Sequence, residues 1–211
     1  MTEPSFRTPL RSGDGITLEA RWDLPPAPRG AVVVLCHPHP LYGGSMEVPL
    51  LRTVAARLVG AGCPVLRFNF RGVGASTGSW SGGEAEVDDV AAAAEAAAAS
   101  FPHLPLALAG WSFGAVAALR WQADAAGTGP FAGIAPPVPA GLPPPPGLAP
   151  APRLFLIGDR DQFTAVENLR AYAAAIGAAL QVLPGSDHFF FGREGRVADA
   201  VAAHLAAVPG A

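Results

Sequence analysis

The pattern of hydrophobic and polar positions alternates between two periods along most of the chain. Short apolar runs with the composition of strands buried on both faces stand at 31–36, 65–70, 106–110, 131–135, 153–158 and 180–183. Longer segments with the apolar spacing of helices stand at 48–60, 84–100, 113–122, 165–176 and 196–208. This repeated strand–helix order predicts an α/β fold with a mostly parallel central sheet and helices on both faces.

The start of the chain follows a different pattern. Two extended stretches, 5–10 and 16–22, flank Ser12-Gly13-Asp14-Gly15, whose residue types favour a tight turn. We therefore expect an antiparallel hairpin before the parallel strands. A length of 211 residues suits a single domain over residues 1–211.

A segment rich in proline separates two of the predicted strands. It spans about 136–152 and holds all of the prolines between Ala135 and Arg153. Because proline removes a backbone donor and clashes with the preceding turn, a helix is excluded there. We expect a stiff surface connection. Its Pro-x-x-Pro spacings also fit a docking ligand for an aromatic groove, but such spacings arise by chance in a chain this rich in proline.

Composition and charge exclude several classes of function. The chain has 14 basic and 17 acidic residues and a net charge of −3, which disfavours nucleic-acid binding because phosphate neutralisation needs a dense cationic surface. No apolar run approaches the roughly 20 residues of a membrane span, and the N-terminus lacks a signal segment. Two cysteines, Cys36 and Cys63, cannot form a secreted-type disulfide framework. We expect a cytoplasmic protein, and its basic residues, all arginine, suggest bacterial high-GC coding.

The pentapeptide Gly110-Trp111-Ser112-Phe113-Gly114 carries the clearest chemical signal. It joins a predicted strand to a predicted helix, a turn at which small neighbours permit a strained backbone. The serine hydroxyl would then project above the sheet at a helix N-terminus, which favours developing negative charge. We interpret Ser112 as a nucleophile. The alternative is a capping serine in an ordinary strand–helix turn.

A serine nucleophile needs a base, and the base needs an orienting acid. Among the five histidines, His188 follows the last predicted strand, whereas His103 and His204 fall in a loop and in an apolar helix. Asp159 and Asp161 both follow an earlier strand. The chain order serine, aspartate, histidine puts each group after its own strand, at the edge of an open sheet where catalytic groups gather.

These motifs resemble the α/β-hydrolase superfamily over nearly the whole chain. The likeness also rests on residues 68–76 (FNFRGVGAS), on Gly158 to Asp161 (GDRD) and on Asp187-His188. It is nearest in kind to small, lidless bacterial members related to dienelactone hydrolases. The resemblance implies a serine hydrolase of small or short-chain esters that needs neither cofactor nor metal. It favours Asp161 over Asp159 as the acid, and the proline-rich segment is too short and too averse to helix for the helical lid that many members carry there.

The loop from Cys36 to Ser45 is similar to the loop after the third strand in that group. An oxyanion hole needs two backbone N–H donors, and Phe113, directly after the serine, would supply one. Since the prolines of this loop have no N–H, the second comes from His39 or Leu41, and the superfamily pattern favours His39. The candidates for an apolar substrate pocket are Leu41, Tyr42, Trp111 and Phe189.

Three other interpretations compete with a serine hydrolase site. His37, His39 and His188 could be three imidazole ligands of zinc, but a His-x-His pair is a weak signal and leaves the serine turn unexplained. The acidic residues at 84–89 fit a solvated helix start better than a metal cluster. A catalytically silent protein of this fold, which binds a small molecule or a protein, stays open because fold alone does not establish activity.

Overall fold

The computed structural model describes residues 5–207, which form one eight-stranded sheet with five α-helices. The strands are β1 (Ser5–Arg11), β2 (Thr17–Asp23), β3 (Val32–Cys36), β4 (Val65–Phe68), β5 (Leu106–Trp111), β6 (Phe131–Ile134), β7 (Arg153–Gly158) and β8 (Ala179–Leu183). The helices are α1 (Pro49–Gly60), α2 (Glu86–Ser100), α3 (Phe113–Asp124), α4 (Val166–Ala175) and α5 (Glu194–Ala206). Every predicted element is present with small shifts at its ends. The predicted end of the last helix, Val208, lies outside the described residues.

The sheet has the strand order β1-β2-β4-β3-β5-β6-β7-β8. β1 pairs with β2, and β2 with β4, in antiparallel register. All other neighbouring strands are parallel. The predicted parallel sheet with an antiparallel opening hairpin is therefore confirmed. The carboxyl ends of β3, β5, β7 and β8 open on one edge of the sheet, where the loops that carry the candidate residues begin.

Two apolar layers cover the two faces of the sheet. Val32 and Val34 of β3 contribute to the layer that includes α2, α3 and α4, whereas Val33 and Leu35 contribute to the layer that includes α1 and α5. All five residues of β3 are buried. This explains why its sequence is uniformly apolar, since a central strand buries side chains on both faces. Among residues 5–207, no helix combines the length and apolar character that a membrane span requires.

The proline-rich segment connects β6 to β7 without an α-helix. In contrast, α1, α2, α3 and α4 each occupy a connection between two parallel-sheet strands. The segment runs across α3 and α4 and leaves beneath it an apolar cavity of about 170 Å³, lined in part by Leu119, Pro136 and Tyr172. Thus residues 135–152 form no helical cover over the carboxyl edge of the sheet, in agreement with the expected lidless architecture.

Candidate active site

Ser112 lies at the turn between β5 and α3 with a φ of 54° and a ψ of −120°. A positive φ is strained for any residue other than glycine and persists only where the surroundings enforce it. Here the Ser112 N–H donates to the Ile134 carbonyl at 2.8 Å, and the Ser112 carbonyl accepts from Ala115 at 3.0 Å. The Ser112 side chain makes no capping hydrogen bond to α3. This removes the interpretation of Ser112 as a capping serine.

The two glycines of the pentapeptide allow close packing around this turn. A Cβ on Gly114 would overlap the carbonyl oxygens of Cys36 and His37, and a Cβ on Gly110 would overlap the backbone of Gly114. Only glycine therefore lets the N-terminus of α3 rest directly on the backbone that leaves β3. This packing brings the helix start, including Phe113, against the loop that contains His39.

Asp161 and His188 form a buried hydrogen-bonded pair. Asp161 Oδ2 lies 2.8 Å from His188 Nδ1, and the two side chains are 0% and 7% exposed. Asp161 Oδ1 accepts from the N–H groups of Phe163 at 2.8 Å and Thr164 at 2.9 Å. With three donors the carboxylate is fixed in orientation, and it selects the imidazole tautomer with the proton on Nδ1. His188 Nε2 then remains available as an acceptor.

Backbone contacts tie the His188 loop to its neighbours. The His188 N–H donates to Gln162 Oε1 at 3.2 Å, and the His188 carbonyl accepts from Trp111 Nε1 at 3.2 Å. Trp111 directly precedes Ser112, so this second bond links the histidine loop to the serine turn. Trp111 itself is 8% exposed and packs in the core beside α1 and α5. Trp111 was a candidate for the substrate pocket, but it is buried and offers no open surface to a substrate. Its hydrogen bond instead supports the backbone of His188.

Asp159, the other candidate acid, occupies a different environment. It is exposed, and its Oδ1 accepts from the N–H of Gly185 at 2.7 Å. This contact joins two surface loops and does not involve His188. The structure therefore pairs His188 with Asp161 and leaves Asp159 at the surface.

The loop after β3 brings His39 against the serine turn. The His39 ring lies 5.6 Å from the ring of Phe113 and 4.5 Å from that of Trp80. The N–H of Leu41, the alternative donor to an oxyanion, donates instead to His39 Nδ1 at 3.2 Å. Through this bond the His39 side chain caps a short 3-10 helix, Pro40–Tyr42, that the hydrophobic pattern did not predict. Burial lowers the pKa of His39, which favours a neutral ring.

Both ring nitrogens of His37 form hydrogen bonds to backbone groups of the protein. His37 is fully buried, its Nδ1 lies 2.6 Å from the Pro38 carbonyl, and its Nε2 accepts from the N–H of Phe70 at 3.0 Å. Burial lowers the pKa of His37 to about 4, so the ring is neutral at pH 7. Both nitrogens are occupied by backbone groups. No nitrogen is left for a metal ion, and the three-histidine zinc interpretation is therefore wrong.

The acidic residues at the start of α2 divide into two pairs: Glu84 and Asp88 are exposed, as the sequence suggested, whereas Glu86 and Asp89 are not. Glu86 and Asp89 are fully buried. Asp89 pairs with the buried Arg71 at 2.7 Å, and Glu86 accepts from the N–H groups of Ser81 at 2.9 Å and Gly83 at 2.8 Å. These bonds hold residues 71–83 against α2 and so position Trp80 beside His39.

Exposed apolar side chains surround the site. Leu41, Tyr42 and Phe189 are 65%, 86% and 38% exposed, as expected for residues that could contact a substrate. Phe163, which was not among the candidate residues, is 63% exposed and lies 4.6 Å, ring to ring, from His188. The signal that could have found it is its position in the loop two residues after Asp161.

Comparison with known proteins finds a serine hydrolase family model and solved structures of α/β serine hydrolases. The family model described as serine aminopeptidase S33 matches residues 27–149. An uncharacterized protein of Rickettsia prowazekii is 30% identical over 184 residues, which cover 82% of this chain and 77% of that protein. The chain is also similar to a solved α/β serine hydrolase homologue from Coxiella burnetii, with 30% identity, a TM-score of 0.84 and coverage of 98% of this chain and 99% of that one. A lidless α/β serine hydrolase from Xanthomonas campestris has 33% identity, a TM-score of 0.84 and coverage of 99% and 98%.

Proposed function

The chain belongs to the serine aminopeptidase S33 family of α/β serine hydrolases, and from this premise we propose that it cleaves small or short-chain carboxylic esters through an acyl-enzyme on Ser112. One arrangement carries the proposal. Ser112, strained and without a capping bond, follows Trp111, whose indole bonds to the backbone of His188. His188 in turn pairs with the buried Asp161. A nucleophile, a base and an orienting acid are the three groups that acyl transfer requires.

In the proposed mechanism Ser112 Oγ attacks the ester carbonyl carbon while His188 Nε2 accepts the hydroxyl proton. Asp161 stabilises the imidazolium and keeps the ring in position. The N–H groups of Phe113 and His39 donate to the oxyanion. The carbon–oxygen bond to the alcohol then breaks, and the alcohol leaves with the proton from His188. Water then attacks the acyl carbon while His188 accepts a proton from it. The bond between the acyl carbon and Ser112 Oγ breaks, Ser112 takes the proton back from His188, and the carboxylic acid is released.

The surroundings of His188 fit a substrate with apolar substituents. Phe163 and Phe189 are the exposed rings beside it, at 4.6 and 5.5 Å. They offer apolar contact to a carbon group next to the bond that is cleaved. Because residues 135–152 form no helix over the carboxyl edge of the sheet, the site fits substrates that bind without a lid.

The nucleophile is tested by labelling with a fluorophosphonate probe and mapping the adduct by mass spectrometry. We expect stoichiometric modification of Ser112 in the wild type and none in Ser112→Ala, whose ester hydrolysis should fall by at least about 10⁴-fold. Ser100→Ala, at the exposed end of α2, is the matched control and should label as the wild type does. If folded wild-type protein is not labelled, the silent binding protein becomes the better description.

A further inference from the structure

Three phenylalanines form an exposed row beside His188, which we call the aromatic row: Phe163, Phe189 and Phe191. Their exposed fractions are 63%, 38% and 76%. The ring of Phe163 lies 6.2 Å from that of Phe189, which stacks on Phe191 at 5.8 Å. Contiguous apolar surface in water is unfavourable and marks sites of ligand contact. The acyl-transfer steps alone give these rings no role.

The backbone is fixed by hydrogen bonds at two residues of the aromatic row, and the rings of both pack against neighbouring rings, Phe163 against His188 and Phe189 against Phe191. The Phe163 N–H donates to Asp161 Oδ1 at 2.8 Å, and the Phe189 N–H donates to Asp187 Oδ1 at 3.0 Å. The two ring planes are inclined at 83°, so that together they form an apolar corner. A preformed corner lowers the entropy cost of ordering side chains around a bound group.

Reaction chemistry decides which part of an ester reaches this corner. When the carbon–oxygen bond breaks, the ester oxygen takes the proton from His188 Nε2, so this oxygen must lie within hydrogen-bond reach of the ring. The carbon group attached to it therefore extends alongside His188. Among the described residues, Phe163 and Phe189 are the exposed aromatic side chains nearest to that ring, at 4.6 and 5.5 Å. Trp111, at 6.1 Å, is buried.

We propose that Phe163 and Phe189 form the leaving-group subsite and that the protein prefers esters whose alcohol carries an aromatic ring. The inference rests on the proposed ester hydrolysis and adds the class of alcohol to it. Edge-to-face and offset contacts between aromatic rings stabilise such an arrangement beyond the area they bury. The carbon chain of the acyl group extends from the tetrahedral carbon in a different direction from the alcohol. The preference for one acyl group over another therefore does not depend on Phe163.

Three esters separate the two halves of the substrate. Benzyl acetate differs from ethyl acetate only in the alcohol, and ethyl phenylacetate differs from it only in the acyl group. The ratio of wild-type to variant kcat/KM within one ester cancels the intrinsic reactivity of that ester. For Phe163→Ala we expect about a tenfold loss on benzyl acetate and less than about a threefold loss on the other two. Phe163→Tyr keeps the ring and should restore the preference.

Phe6→Ala removes a ring that is 51% exposed on β1 and serves as the control, with all three rates unchanged. An equal loss on all three esters in Phe163→Ala would overturn the proposal, because Phe163 would then act on His188 rather than on the alcohol. A selective loss on ethyl phenylacetate would also overturn it and assign the ring to the acyl group. Should Phe163→Ala fold poorly, Phe163→Leu replaces it with the same expected pattern.

The outcomes also separate this inference from the proposed function. If the wild type hydrolyses none of the three esters, the proposed ester hydrolysis itself fails. If all three are hydrolysed and Phe163→Ala keeps the wild-type ratio of benzyl to ethyl acetate, the leaving-group subsite alone is refuted.

Discussion

Replacing Asp161, the acid of the proposed triad, by asparagine exchanges one carboxylate oxygen for an NH₂ group. The asparagine oxygen can still accept from Phe163 and Thr164, which fix Oδ1 in the wild type. The new NH₂ then faces His188 Nδ1 across the former 2.8 Å hydrogen bond. Because a donor now meets that nitrogen, the imidazole carries its proton on Nε2 and cannot accept the proton of the serine.

In a Ser-His-Asp triad of another fold, the same change lowers kcat by about 10⁴-fold, which corresponds to about 5.5 kcal/mol in the activation free energy. The Asp161 side chain is fully buried and pairs with His188, so we expect a comparable fall in kcat with little change in KM. Steady-state hydrolysis of ethyl acetate measures both constants.

Asp159→Asn is the matched control, since Asp159 is exposed and bonds to Gly185 rather than to His188. Surface substitutions usually change the free energy of unfolding by no more than about 0.5 kcal/mol, so the variant should fold as the wild type does. Because Asp159 makes no hydrogen bond to His188, kcat should stay close to the wild-type value. A larger loss in Asp159→Asn than in Asp161→Asn would reassign the acid. Retention of a tenth or more of the wild-type kcat in Asp161→Asn would refute the tautomer argument.

Gly114→Ala should lower the free energy of unfolding by about 2 kcal/mol and abolish ester hydrolysis, because its Cβ would overlap the backbone after β3. Gly60→Ala, whose Cβ would meet nothing within 4 Å, should unfold in urea as the wild type does or at a slightly higher concentration. Ser112→Gly should be more stable than Ser112→Ala by about 1 kcal/mol, since only glycine adopts a positive φ without strain; equal urea midpoints would contradict this. Burial lowers the pKa of His37 to about 4 in the folded protein, whereas the pKa is about 6.5 in the unfolded chain. Between these two pH values the unfolded chain binds a proton that the folded protein does not, so the free energy of unfolding falls as the pH falls. From pH 7 to 5 the free energy of unfolding of the wild type should therefore fall by about 2 kcal/mol more than that of His37→Gln. Parallel pH profiles of urea unfolding for the two proteins would show that His37 does not cause the loss.

The candidate residues that could be predicted share one property: each follows a strand that the hydrophobic pattern reveals. Ser112, Asp161 and His188 come directly after β5, β7 and β8 or in the loops that these strands begin. Parallel strands present their carboxyl ends at the same edge of a sheet. Strand periodicity and chain order were therefore enough to expect these side chains at the same edge.

Residues whose environment depends on distant partners could not be placed in the same way. Glu86 and Asp89 look like ordinary acids at a helix start, and their burial depends on Arg71 and on the backbone of residues 81–83. Trp111 is adjacent to the serine, yet it shares the strand face of Ala107 and Ala109, which points into the core beside α1 and α5. Side chains alternate between the faces of a strand, and only the packed layers show what each face meets.

Local patterns in the sequence were enough to predict the α/β architecture, the antiparallel start, the helix-free segment at 136–152 and a serine turn between a strand and a helix. These follow from local properties, namely the periodicity of apolar residues and the backbone limits of glycine and proline. The family resemblance favoured Asp161 over Asp159, and the structure pairs Asp161 with His188. Only the packed structure reveals that His37 is buried with both nitrogens bonded and that Phe163 stands exposed beside His188. Each of these depends on contacts between loops far apart in the chain, whose distances and burial no local pattern encodes.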